Sequence, residues 1–188
     1  GEGVIITSED RLDHYLGMLT HQSPIESNFI KALPDHLNAE IVSGTVTNIS
    51  EAIRWLSYTY LFVRMLRNPL VYGIPYEDRV EDPELELKRM ALISAAARRL
   101  DECRMIRFEE MSGTFGVTDL GRVASHFYIQ HDSIEVFNTL MEPVMSDEQI
   151  INVICHAHEF DNIKIREEEL DELDKLKRES HFPMSVAV

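Results

Sequence analysis

Few stretches of this chain hold residue types that can do chemistry. The first is "GEGVIIT", where two glycines stand beside an apolar run. A phosphate cradle needs strand, then glycine loop, then helix N-terminus, so that backbone amides and the helix dipole face the anion. Here the glycines precede Val4, Ile5 and Ile6, and no Lys-Ser or Lys-Thr follows them. The order is wrong for a phosphate loop. The second stretch is Cys155, His156 and His158. Side chains two apart on a helix diverge by about 200°, so the two histidines cannot share one metal without distortion. Cys103 is remote and no Cys-x-x-Cys occurs, so no metal is expected. The third is "REEELDELDKLKRE", whose acids Glu167, Glu168, Glu169, Asp171, Glu172 and Asp174 precede Lys175, Lys177 and Arg178. That polarity matches the helix dipole and describes a solvated helix. Ser125 and His126 are sequence neighbours and point apart on a helix, so they make no nucleophile pair. No catalytic residue is expected in this chain.

The remaining candidates are cations. Lys88, Arg89, Arg98, Arg99, Arg104 and Arg107 crowd into one stretch and could meet a nucleic-acid backbone. Glu84, Glu86, Asp101, Glu102 and Glu109 lie among them, so pairing within the chain is the expected use of most of them. Charge argues the same way. The chain carries 18 Lys and Arg against 33 Asp and Glu, a net charge of −15. That is a poor electrostatic match to nucleic acid for a free-standing binder.

These candidates must be positioned by a chain of 188 residues, 44% hydrophobic and 27% charged, enough for a real core. No apolar run reaches the roughly 18 residues of a membrane helix, and "GEGVIITSED" lacks the charged and apolar regions of a secretory signal. Two cysteines are too few for a disulfide framework, which points to a reducing compartment, nucleus or cytoplasm.

"VIIT" reads as a short buried strand, capped into a helix over 9–20 with Leu12, Tyr15, Leu16 and Leu19 at helical spacing. Ser23-Pro24 favours an extended connection. Pro34 and Gly44 bracket a helix over 34–43, and 45–47 has room for a strand stub. Asn48 with Glu51 caps the longest apolar pattern, 49–66. Its two stripes, Ile49, Ile53, Leu56, Tyr60, Val63 and Trp55, Tyr58, Phe62, Met65, predict one central helix buried from two sides. If Trp55 is core, Trp55→Ala costs about 3–5 kcal/mol. Asp82 and Pro83 open a helix over 83–103 with Leu100 among its apolar residues. The period then changes to two, and "MIRFEEMSGTFGVT" reads as a β-hairpin turning at Gly113 and including Phe115. Helices follow at 119–129 (capped by Thr118), after Asp132, after Ser146 with Gln149, and over 165–179. Three helices and a hairpin in this order make a winged helix. The predicted fold is mainly α with a small β-hairpin: a winged helix, then the start of a helical bundle. Trp55, Tyr58, Phe62, Leu100 and Phe115 are its expected core.

The run "LNAEIVSGTVTNISEAIRWLSYTYLFVRMLRNPLVYGI" resembles the region after the second RecA-like domain in the large tandem-cassette DExH (Ski-like) helicases of superfamily two. "THQSPIES", "MIRFEE", "TDLGRVASHFYI" and "EFDNIKIREEEL" extend the resemblance over nearly the whole chain. That group includes the helicase subunit of the activating signal cointegrator complex and the U5 snRNP helicase. "MIRFEE" leans towards the first and "LPDHLNAEIV" towards the second. The resemblance implies residues 1–7 as the last strand of a RecA-like domain, 8–30 as helix and connector, 31–118 as winged helix, and 119–188 as the start of a helical ratchet domain. It implies a parent that hydrolyses ATP with Mg, unwinds nucleic acid (RNA foremost) 3'-5', and works in a multiprotein complex in ribosome quality control or splicing. The phosphate loop, DExH box and arginine finger do not occur in this chain, so no catalytic residue and no cofactor carry over.

Overall fold

A computed structural model describes residues 1, 3–20 and 25–180. Ser23-Pro24 and the closing run 181–188 lie outside the described residues. The molecule is mainly helical with one two-stranded antiparallel hairpin, in winged-helix order.

The expected strand at 4–7 does not form. Val4, Ile5 and Ile6 are 81%, 54% and 95% exposed and carry no ladder bonds. A strand exists only through a neighbour, and no described segment supplies one. A 3-10 turn (Glu9–Arg11) leads into α1 (Leu12–Leu19), which buries no residue.

Helix α2 (Phe29–Ser43) starts five residues before the expected position, with Pro34 inside it. Proline forfeits one helical bond, yet Phe29, Ile30 and Leu33 gain contact with the core in exchange. Gly44 ends the helix at φ 81°, and the amides of Thr45 and Val46 both return to the Glu40 carbonyl.

The central helix is two helices, α3 (Ile49–Leu56) and α4 (Tyr60–Arg67). Ser57 and Thr59 cause the break by bonding locally: Ser57 Oγ donates to Arg54 O at 2.6 Å and Thr59 Oγ1 to Leu56 O at 2.7 Å. Each apolar stripe is therefore divided between the two helices. Tyr58 sits in the turn between them, 75% exposed, and is not core. Trp55 is half-buried, its ring 6.0 Å from that of Phe29. Phe62 and Leu100 are buried, and Phe115 is half-buried beside Phe108.

Between α4 and the next long helix lie a 3-10 turn (Pro69–Tyr72) and the short α5 (Tyr76–Glu81). Helix α6 (Glu86–Glu102) starts three residues later than expected. Asp82–Glu84 form a turn, and buried Leu85 enters the helix at φ 51°. Asp82 still caps, accepting the Leu87 amide at 2.8 Å.

Strands β1 (Ile106–Glu109) and β2 (Thr114–Val117) pair with Phe108 opposite Phe115. Gly113 turns the hairpin at φ 68°, and its carbonyl accepts the Ile49 amide at 2.8 Å. The stub expected at 45–47 appears as one bridge, Asn48 to Thr114, with Thr47 O accepting the Phe115 amide.

Helices α7 (Asp119–Phe127), α8 (His131–Leu140), α9 (Asp147–Cys155) and α10 (Leu170–Glu179) complete the chain. Asp132 lies inside the first turn of α8 instead of capping it. Asp35 of α2 takes that role, accepting the His131 amide at 2.7 Å. Ser146 and Gln149 form the expected capping box. The winged helix and α7–α8 share one hydrophobic cluster that runs from Leu33, Leu37 and Leu100 through Met105 to Ala124 and Ile134.

Candidate interaction face of the winged helix

Helix α6 stands where a DNA-reading winged helix places its recognition helix. The six candidate cations, four on α6 and Arg104 and Arg107 beyond its end, separate among the described residues into a partnered and an unpartnered set. Arg89 is 8% exposed and spent inside the fold. It donates to Ile53 O at 2.8 Å and Glu84 O at 3.2 Å, and its guanidinium lies 4.9 Å from the Phe62 ring centre. This corrects its assignment as a nucleic-acid contact: a stacked, hydrogen-bonded guanidinium cannot also reach a phosphate. Arg98 pairs with Glu110 of the hairpin at 2.5 Å. Arg99 pairs with Glu135, with Asp132 at 3.2 Å and with Glu102 at 3.7 Å. Lys88, Arg104 and Arg107 have no ion pair among the described residues. Lys88 lines a shallow depression with Asp78, Glu81 and Asp82.

Between exposed acids at its ends (Glu86, Asp101 and Glu102), the outward face of α6 is otherwise apolar. Leu87 is 67% and Met90 43% exposed, with Ala91 and Ala95 beside them. Such a face suits packing better than phosphate binding, because phosphate contacts need unpaired cations.

Two polar clusters escaped the sequence reading. At the joint of α2, α6 and α8, the His131 ring lies 3.1 Å from both Asp35 carboxylate oxygens and 3.3 Å from Asp132. Hydrogen bonding to Asp35 raises the pKa of His131 against the effect of burial. Arg99 holds the Glu135 carboxyl below the usual carboxylate range. Cys103, beneath this cluster, is pushed up to about 11 by burial. The second cluster surrounds Glu26. Its carboxylate accepts from Arg64 Nη2 at 2.7 Å and Nε at 3.1 Å, Asn68 Nδ2 at 2.9 Å and Tyr72 OH at 2.8 Å. Those donors hold its pKa down to about 2. The available signal was Arg64 standing within an apolar helix face.

No group of three or more His, Cys, Asp or Glu that could hold a metal occurs among the described residues. His156 Nδ1 faces Asn152 O at 2.7 Å and His158 Nδ1 faces Asp161 at 2.7 Å, so each ring has its own partner. No described helix is long and apolar enough to cross a membrane.

The junction after the hairpin is tightly packed. Asn38 of α2 donates to Gly121 O at 3.0 Å, and a Cβ on Gly121 would stand 2.0 Å from Met105 O. The winged helix and the following helices thus pack directly on one another, and two family profiles match parts of the chain. The Winged Helix-turn-helix domain profile matches residues 26–102 and the Sec63 Brl domain profile matches 117–188.

The chain carries a Winged Helix-turn-helix domain and a Sec63 Brl domain and is homologous to a region of DExH-box RNA helicases.

This winged-helix–Sec63 segment is 52% identical over 187 residues to activating signal cointegrator 1 complex subunit 3 of Dictyostelium discoideum, covering 99% of the chain and 8% of that relative. It is 56% identical over 186 residues to the DExH-box ATP-dependent RNA helicase DExH14 of Arabidopsis thaliana, covering 99% and 9%. The Homo sapiens subunit 3 is 53% identical over 176 residues, covering 94% of the chain and 8% of the relative. The chain therefore spans less than a tenth of the length of these relatives.

Proposed function

We propose that this winged-helix–Sec63 segment is the non-catalytic joint of an ATP-dependent RNA helicase. It would hold the ATPase lobes in register with a helical ratchet during 3'-5' unwinding. The observation that carries this reading is the shared core: Ala124 and Ile134 of α7–α8 pack into the same cluster as Leu37 and Leu100 of the winged helix. A load applied at one end of such a body reaches the other without a hinge in between. In this reading residues 1–7 complete a RecA-like sheet, and 8–30 connect it to a winged helix over 31–118 and a ratchet domain from 119. ATP and Mg act in the parent protein, whose phosphate loop and DExH box lie outside this sequence. Its setting is a multiprotein complex of the nucleus or cytoplasm, in ribosome quality control or splicing. The test is ATP hydrolysis and strand separation by this chain alone. Neither is expected, and either would overturn the reading.

Lys88, Arg104 and Arg107 motivate a second reading, an independent nucleic-acid module. It requires salt-sensitive duplex affinity tighter than about micromolar, since non-specific binding is usually weaker at physiological salt. Absence of binding at low salt removes it.

A further inference from the structure

Among the described residues, the leading segment reaches the winged helix at a small number of polar contacts. Its 3-10 turn and α1 bury no residue. The contacts lie at 25–27. Ile25 O accepts from Tyr60 OH at 2.9 Å, and the Ser27 amide donates to Tyr72 OH at 2.8 Å. Between them Glu26 takes bonds from Arg64, Asn68 and Tyr72. The donors recur every fourth residue: Tyr60, Arg64, Asn68, Tyr72. Tyr60 and Arg64 lie one turn apart on α4, Asn68 ends that helix, and Tyr72 closes the 3-10 turn after it, so the four donors line one side of the connector. The row meets three consecutive residues of the connector, as a rack meets a pawl.

Arg64 is 8% exposed, with the Glu26 carboxylate covering its guanidinium. A bidentate, charge-assisted pair is short-ranged and directional. It resists sliding of the connector along α4 more than apolar contact would. A displacement of residues 25–27 is therefore delivered to α4, which carries Leu61, Phe62 and Met65 into the core.

We infer that Glu26 is a positioning residue for helicase coupling: its clamp on Arg64, Asn68 and Tyr72 passes motion of the preceding ATPase lobe into the winged-helix–ratchet body. The inference rests on the proposed role as a helicase joint.

The experiment uses the full-length protein with E26A and the near-isosteric E26Q, beside E110Q at the exposed Arg98–Glu110 pair as control. RNA-stimulated ATP hydrolysis and duplex unwinding are measured on the same preparations. Hydrogen exchange reports the Ser27 amide and the amides of α6. Both Glu26 variants are expected to hydrolyse ATP within about twofold of the unaltered protein. Unwinding is expected to fall by about tenfold or more, as misplacement remote from chemistry can do. Exchange at Ser27 should rise while α6 stays protected, and E110Q should change neither activity. Unwinding by E26A equal to the unaltered protein overturns the proposal alone. A parallel fall of both activities, or loss of α6 protection, overturns it too, because Glu26 would then be merely structural. An unaltered protein that hydrolyses ATP without separating strands overturns the helicase reading, and this proposal with it.

Discussion

Helices α6 and α10 are both amphipathic, yet they end in opposite situations. In α6, Ile93, Ala97 and Leu100 are fully buried. In α10, Leu170, Leu173 and Leu176 line up at helical spacing and remain 53%, 39% and 57% exposed. The difference lies in what surrounds each. Helix α6 packs against α2, α3 and β1, while α10 has no buried residue of its own. Amphipathicity names the face that wants cover; burial depends on distant segments arriving to cover it. The stable body of this chain is thus the winged helix with α7–α8 fused to it, and α10 is an appendage to that body.

The sharpest way to break this contrast is at the fusion point. Gly121→Ala puts a methyl into the Met105 carbonyl, 2.0 Å away, and is expected to cost about 3 kcal/mol or more in urea unfolding. A cost below about 1 kcal/mol would mean that the two units are not fused there. Leu100→Ala empties the core under α6 and is expected to cost about 2–5 kcal/mol by the same measurement. Trp55→Ala should cost about 1–2 kcal/mol, less than a core tryptophan would, because its ring is half-buried.

A smaller effect is expected from His131. Its folded pKa is raised by Asp35 and Asp132, so its contribution to stability is complete below its ordinary 6.5. That contribution is lost as pH rises through the higher folded value. The unfolding midpoint, followed by circular dichroism, should therefore drop in this window in the unaltered chain and flatten in His131→Ala. Glu26 works in the opposite sense: its contribution is complete above its ordinary 4.5 and lost as pH falls towards about 2. The smallest effect is Leu173→Ala in α10, expected within about 0.5 kcal/mol. A cost like that of Leu100→Ala would show that α10 is packed and erase the contrast.

Much of the winged helix was legible because its signals are local. Asn48, Thr118 and Ser146 accept the amide three residues on, as their spacing required. The hairpin needed only an alternating run and Gly113 in its turn. The break at 57–59 was less legible, since Ser57 and Thr59 compete with the helix only through bonds that the apolar stripes conceal. The cations of α6 were a coarser case. Their abundance was visible, but Arg89 and Arg99 acquire their partners from Ile53, Asp132 and Glu135, more than thirty residues away.

By itself the sequence determined the caps at Asn48, Thr118 and Ser146, the Gly44 stop, the hairpin and the helical order, all of which are settled within a few residues by backbone hydrogen bonds and allowed torsions. Only the tertiary structure decided where α2 and α6 begin, which stripe is buried, and that Glu26 and His131 are held by several partners at once. Those outcomes depend on segments far apart in the chain meeting in one place. Leu85 in a left-handed conformation and Pro34 within a helix persist because the surrounding packing outweighs their local cost.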